Sequence, residues 1–77
     1  MSEVNWDTGE AELWLDNDEY AYKAMNRIVW HWNDREVANN IRALFTEIYI
    51  RPEADAVDLD AVDWEYIAEE HRDALAA

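Results

Sequence analysis

The sequence predicts an all-α fold, a compact bundle of three main helices plus a short N-terminal one. Three observations lead there. Val37, Ile41, Leu44, Phe45 and Ile48 stand at i, i+4, i+7, i+8 and i+11, which makes one helical face apolar, while Asn39, Asn40, Arg42, Thr46 and Glu47 cover the rest. Trp64, Ile67, Ala68, His71 and Leu75 repeat the same period near the C-terminus. Ahead of these stretches stand Asp7, Asp16 and Asn33, each followed three positions later by Glu, a spacing that closes a capping box at a helix start.

Residues 1–8 read as an arm whose one anchor, Trp6, tucks into the core. Asp7 and Glu10 open a short helix from about Thr8 to Leu15, against the helix-weakening effect of Gly9, the only glycine. Leu13, Trp14 and Leu15 are large enough to demand a core. Asp16, Asn17 and Asp18 are poor helix-interior residues and good caps, so one helix ends there and the next begins, with Asp16 and Glu19 as the box. From Asp18 to near Asn33, Ala21, Met25, Ile28 and Trp32 form a helical stripe that Tyr20 and Ala24 widen, and Trp30 falls off its centre. The third helix starts from Asn33 and Glu36 and ends before Pro52, because the residue preceding proline is pushed out of the α region. The alternative for its end is a strand over Glu47–Arg51, which has no second strand to pair with. Residues 52–60 form an acidic linker that Val57 and Leu59 pin to the core, and the last helix runs from Ala61 or Asp63 to Leu75. Loops this short suit antiparallel neighbours.

The 77 residues make a single domain, 1–77, which buries only roughly 60% of its unfolded surface. With no cysteine, no disulfide holds it and no thiolate binds metal. Five tryptophans offer another source of stability, since each buried aromatic removes on the order of 150–250 Å² from water. Disorder is therefore not expected despite the charge. The start is acidic and lacks the apolar segment of a secretory signal, and no apolar run approaches the roughly 20 residues that cross a bilayer. The expectation is a soluble protein of the cytoplasm of a bacterial host, with no membrane contact.

Charge is the strongest functional signal. Nineteen acidic residues against six basic ones give a net charge of −13. Direct binding to a nucleic-acid backbone is not expected on this ground, because phosphates need a basic patch. The matching partner is basic. A competing explanation is that acidity serves solubility or adaptation to a salt-rich host, and Lys23, the only lysine, fits it.

Chemistry is not signalled. His31 and His71 lie outside any His-Glu-x-x-His pattern, and His71 reads as a satisfied histidine on an apolar face. Asp58 to Glu69 has acids at positions 1, 3 and 12 of a calcium loop, but Val62 and Asp63 stand where a ligand and a glycine belong, so helix capping explains the acids better. There is no glycine-rich phosphate loop and no nucleophile motif. The expectation is a protein that is not an enzyme, with no catalytic residue, no metal and no cofactor.

The acids fall in rows. Glu65, Glu69 and Asp73 repeat at i, i+4, with Glu70 beside them, and residues four apart on a helix are roughly 6 Å apart along its axis, about the spacing of phosphates on one strand. Glu12, Asp16 and Glu19 make a second row if their segment is continuous, with Asp18 next to it. Trp14, Tyr22 and above all the off-stripe Trp30 are candidates for exposed aromatic contacts.

Asn5-Trp6-Asp7-Thr8, then Leu13-Trp14-Leu15-Asp16-Asn17-Asp18-Glu19 with Tyr22 following, resembles a family of small acidic phage- and plasmid-encoded proteins, and Val62-Asp63-Trp64 through Ile67-Ala68 is similar too. The likeness covers about a third of the chain, and Gly9 and Glu10 depart from the family's Trp-Asn. That family brings no activity with it. In overall character the chain resembles anti-CRISPR and anti-restriction proteins that imitate DNA, in size and helical content those acting on type I surveillance complexes. The resemblance implies a non-enzymatic inhibitor of host defence. It would occupy the basic DNA-binding groove of a Cascade-like CRISPR effector complex, with Glu65, Glu69, Glu70 and Asp73 on one face and Glu12, Asp16, Asp18 and Glu19 on the other, beside Trp30. The alternative is a small acidic protein–protein interaction or regulatory module whose exposed Trp and Tyr make the contacts. A monomer is expected in either case.

Overall fold

Asn5 sets the start of the first helix. Its backbone is extended (φ −71°, ψ 166°) and its Oδ1 accepts the Thr8 amide at 2.7 Å. That hydrogen bond satisfies one of the orphan amides of a helix N-terminus. The computed structural model describes residues 4–31, 34–49 and 57–76. These form four helices, α1 (Trp6–Asn17), α2 (Glu19–His31), α3 (Asp34–Ile48) and α4 (Trp64–Ala76), with no strand among the described residues. The architecture is the predicted all-α bundle: α2, α3 and α4 pack pairwise, and α1 lies chiefly on α2 while touching the other two.

The caps differ from the predicted ones. Asn5, not Asp7, starts α1, so the helix opens two residues before Thr8. Asp18, not Asp16, starts α2: its Oδ1 accepts the Ala21 amide at 2.9 Å and its carbonyl the Tyr22 amide at 2.8 Å. Asp63 caps α4 through the Tyr66 amide at 3.0 Å. Asn33 and residues 50–56, which include Pro52, lie outside the described residues, as does Trp32.

The shifted start of α1 overturns the expectation for Trp6. Trp6 and Leu13 stand seven positions apart, so both point from the same side of α1. That side faces solvent, and they are 57% and 56% exposed. The inward position goes to Thr8, Ala11 and Leu15. Leu13, Trp14 and Leu15 cannot all be core, because consecutive helical side chains diverge by about 100°. Leu15 is fully buried and Trp14 half-buried. Thr8 wins its inward place over larger neighbours because its hydroxyl accepts the Asp63 amide at 2.9 Å. Asn5 Nδ2 donates to the Ala61 carbonyl at 2.8 Å, and Asp7 accepts the Asp58 amide at 3.0 Å. The first turn of α1 thus fastens the 57–63 turn, which aims α4.

Gly9 does not break α1, and a Cβ there would meet nothing within 4 Å. Its φ is not positive. Gly9→Ala should therefore stabilise the domain by about 0.5–1 kcal/mol, read as a rise in the denaturant midpoint at unchanged slope.

On α2 the core side is Ala21, Met25 and Val29, with Ala24 and Ile28 half-buried; Tyr20, expected to widen this stripe, is exposed. Val37, Ala38, Ile41, Leu44 and Phe45 are buried on α3, and Trp64, Ile67, Ala68 and His71 on α4. Val57 is buried and Leu59 half-buried, so both pin the linker as predicted. An aromatic row ties the layers. Trp14 meets Tyr49 edge-on (5.1 Å), Tyr49 stacks on Phe45 (4.7 Å, 22°), and Phe45 packs on Trp64 (5.6 Å). Polar tips in this row are satisfied: the Tyr49 hydroxyl accepts the Val57 amide at 3.0 Å and Trp64 Nε1 donates to the Leu59 carbonyl at 3.0 Å.

Candidate partner-binding site

Inward burial of Trp64, Ile67, Ala68 and His71 leaves Glu65, Glu69 and Asp73 on the opposite arc of α4, where all three are exposed. Four-residue spacing sets them roughly 6 Å apart along the axis. Among the described residues, Lys23 pairs with Glu19 (3.0 Å) and Arg42 with Asp60 (2.9 Å). Arg72, three residues after Glu69, reaches the Val29 carbonyl of α2 at 3.4 Å.

Glu70 leaves α4 on a different flank and faces α1. There it shares a concavity of about 250 Å³ with Glu12 and Asp16 of α1, Tyr22 of α2 and His71. The structure thus brings together Glu12, Asp16 and Glu70, which the sequence had placed on two separate faces. Glu19 lies beside this group, lining a neighbouring depression with Asp16, Asn17, Tyr22 and Lys23. The chain turns at Asp18, so Glu19 starts a new helix and Glu12, Asp16 and Glu19 do not lie on one continuous helix. Asp18 is occupied as the cap of α2, and Glu19 points to Lys23. Among the described residues Trp30 is the most exposed large apolar one at 72%, while Tyr22 lies edge-on to His71 (4.9 Å).

Electrostatics in the concavity follow from crowding. Burial raises the Glu12 carboxyl above its ordinary value, and the charges of Asp16 and Glu70 add to it. Asp16 is raised by burial, against the pull of His71. Burial lowers His71, and Asp16 opposes that. Tyr66 is raised by its hydrogen bond to Glu70. His71 Nε2 and Asn26 Oδ1 are 2.5 Å apart, which satisfies the buried ring as the sequence suggested. The Asn26–His71 pairing itself was not foreseeable, since 45 positions separate the two.

The pH response has a definite sign. Lowered in the folded state, His71 contributes stability that is lost as pH falls through its ordinary value of 6.5. Glu12, raised in the folded state, opposes folding at neutral pH, and that opposition vanishes below its ordinary value of 4.5. Glu12→Gln should raise Tm by a few degrees at pH 7 and leave it unchanged at pH 4. A gain that persists at pH 4 would contradict burial of a charge as the cause. His71→Gln should flatten the fall in Tm between pH 8 and pH 5.5.

Asp58 accepts the Asp60 amide at 3.0 Å and Asp63 caps α4, so the acids of the calcium-like stretch serve the backbone. No helix among the described residues is long and apolar enough to cross a membrane. No protein-family model, curated protein or solved structure matches this chain.

Proposed function

We propose that the protein is a non-enzymatic inhibitor that imitates the charge of DNA and occupies a basic, DNA-binding groove on a protein partner. The observation that carries this reading is the exposed, evenly spaced row Glu65, Glu69 and Asp73 on a rigid helix, in a chain of net charge −13. Like charges at i, i+4 cost roughly 0.2–0.5 kcal/mol per pair. A stabilising neighbour is easily supplied by a lysine, and this row has carboxylates instead. Glu70, Glu12 and Asp16 extend the negative surface around the bundle toward α1. Summed over the molecule, such a field draws a basic groove in before contact. The finer assignment, a type I CRISPR surveillance complex of a bacterial host cytoplasm, rests on the resemblance in character to anti-CRISPR proteins.

A second reading is favoured by one observation, the exposure of Trp30, Tyr20, Trp6 and Leu13. Under it the protein is an interaction module that docks through aromatic anchors, and the acids keep it soluble. Salt separates the two. Groove mimicry predicts an association rate that falls by up to about a thousandfold between low and high ionic strength, the range that separates steered from unsteered encounters. Aromatic docking predicts a rate nearly independent of salt and a dissociation rate that rises sharply in Trp30→Ala. Stopped-flow or surface binding to the purified complex measures both, and a salt-independent rate would overturn the mimicry.

A further inference from the structure

The outward face of α2 is unlike the rest of the molecule. Tyr20, Lys23, Arg27 and Trp30 lie within an arc of about 80°, directly opposite the buried Ala21, Met25 and Val29, and all four are exposed. The rings at its two ends are the most solvent-exposed large apolar side chains among the described residues, at 60% and 72%. Lys23 and Arg27 outnumber Glu19, the helix's one acid, so α2 is locally positive within a chain of net charge −13.

We propose that this stripe docks on the Glu65–Glu69–Asp73 row of α4 in a second copy of the chain, giving head-to-tail self-association. Charge complementarity and register carry the inference. Lys23 and Arg27 are one turn apart, roughly 6 Å along the axis, and so are successive acids of the row. Two ion pairs can therefore form at once when the helices lie side by side. Tyr20 and Trp30 stand roughly 15 Å apart and the row spans roughly 12 Å, so the two rings bracket the pairs and shield them from water. The Lys23–Glu19 contact leaves two ammonium donors of Lys23 for the neighbour. Stripe against stripe would set Lys23 and Arg27 against their own copies, so a symmetric pairing of α2 faces is disfavoured. Because the two docking faces differ, the contact is heterologous.

The contact is small and joins molecules that repel overall, so it is weak and depends on screening. At about 0.01 M ionic strength the Debye length of roughly 30 Å exceeds the molecule's radius, and whole-body repulsion keeps copies apart; at about 0.15 M it is roughly 8 Å, and local pairs decide. The inference departs from the monomer expected of so acidic a chain, and it needs no foreign partner, so its failure leaves the proposed inhibition standing.

Sedimentation velocity tests it, from micromolar to millimolar protein at both ionic strengths. The expected result is a mean mass that rises with concentration at the higher ionic strength only. Arg27→Glu and Glu69→Arg, both exposed and checked for native circular dichroism, should each stay monomeric alone. Their equimolar mixture should regain association, because every contact in an alternating chain is again between opposite charges. A wild-type protein that remains monomeric throughout overturns the proposal. So does either variant associating like the wild type, or a mixture that stays monomeric.

Discussion

Replacing Phe45 by alanine should cost about 3–5 kcal/mol, the range for truncating a buried aromatic. Phe45 is fully buried at the centre of the aromatic row, stacked on Tyr49 and packed on Trp64. Removing it leaves a void where α3 meets α4 and strips the partner from the ring that holds Val57. A domain of this length has roughly 4–12 kcal/mol of total stability at 0.05–0.15 kcal/mol per residue. The variant should therefore be largely unfolded near 37 °C, read as a loss of the cooperative thermal transition. Phe45→Leu, which refills much of the space, should keep a cooperative transition at reduced Tm. A Phe45→Ala protein melting within a few degrees of the wild type would mean that the row does not organise the core.

The combined change Glu65→Gln, Glu69→Lys and Asp73→Lys should abolish binding to the basic partner. All three side chains are exposed and make no core contact, so the fold survives. Two further effects keep the helix intact. Glu65 is changed to a neutral residue because a cation in the first turn opposes the helix dipole, whereas Lys at 73 lies near the C-terminus, where the dipole favours it. Close charge pairs across an interface have coupling energies of roughly 1.5–7 kcal/mol. Reversing two of them replaces attraction by repulsion, so the loss should exceed a thousandfold. Retained affinity with native circular dichroism would remove α4 from the interface. A loss confined to Trp30→Ala would transfer the contact to the aromatic face of α2.

The sequence made some of this legible and withheld the rest for physical reasons. Helices α3 and α4 were readable because their apolar residues keep one period without interruption, and α3 is amphipathic throughout. α1 was misplaced because its signals conflict. Trp6 and Leu13 are large and apolar, yet they face outward. The buried Thr8 earns its place through a hydrogen bond to Asp63, 55 positions away, which no local pattern carries. An Asn-x-x-Thr spacing at Asn5 and Thr8 did hold the true cap, but Asp7 and Glu10 offered a competing one. Exposure of the α4 row followed directly from the helical period. The meeting of Glu12, Asp16 and Glu70 did not, because it depends on how α1 leans on α4, a tertiary angle set by the clamp at residues 57–63. Helical continuity across Asp16–Glu19 failed for a local reason: Asp18 caps α2 where the chain turns, although Glu19 stays beside Asp16.

Displacement of duplex DNA is the most direct test of the proposed mimicry. Labelled double-stranded target DNA is bound to a purified type I surveillance complex, and this protein is added at low and at high salt. DNA mimicry predicts that the protein releases the DNA at low salt, that release weakens steeply at high salt, and that the α4 triple variant releases none at either. DNA that stays bound at both salt concentrations, with saturating protein present, would contradict it.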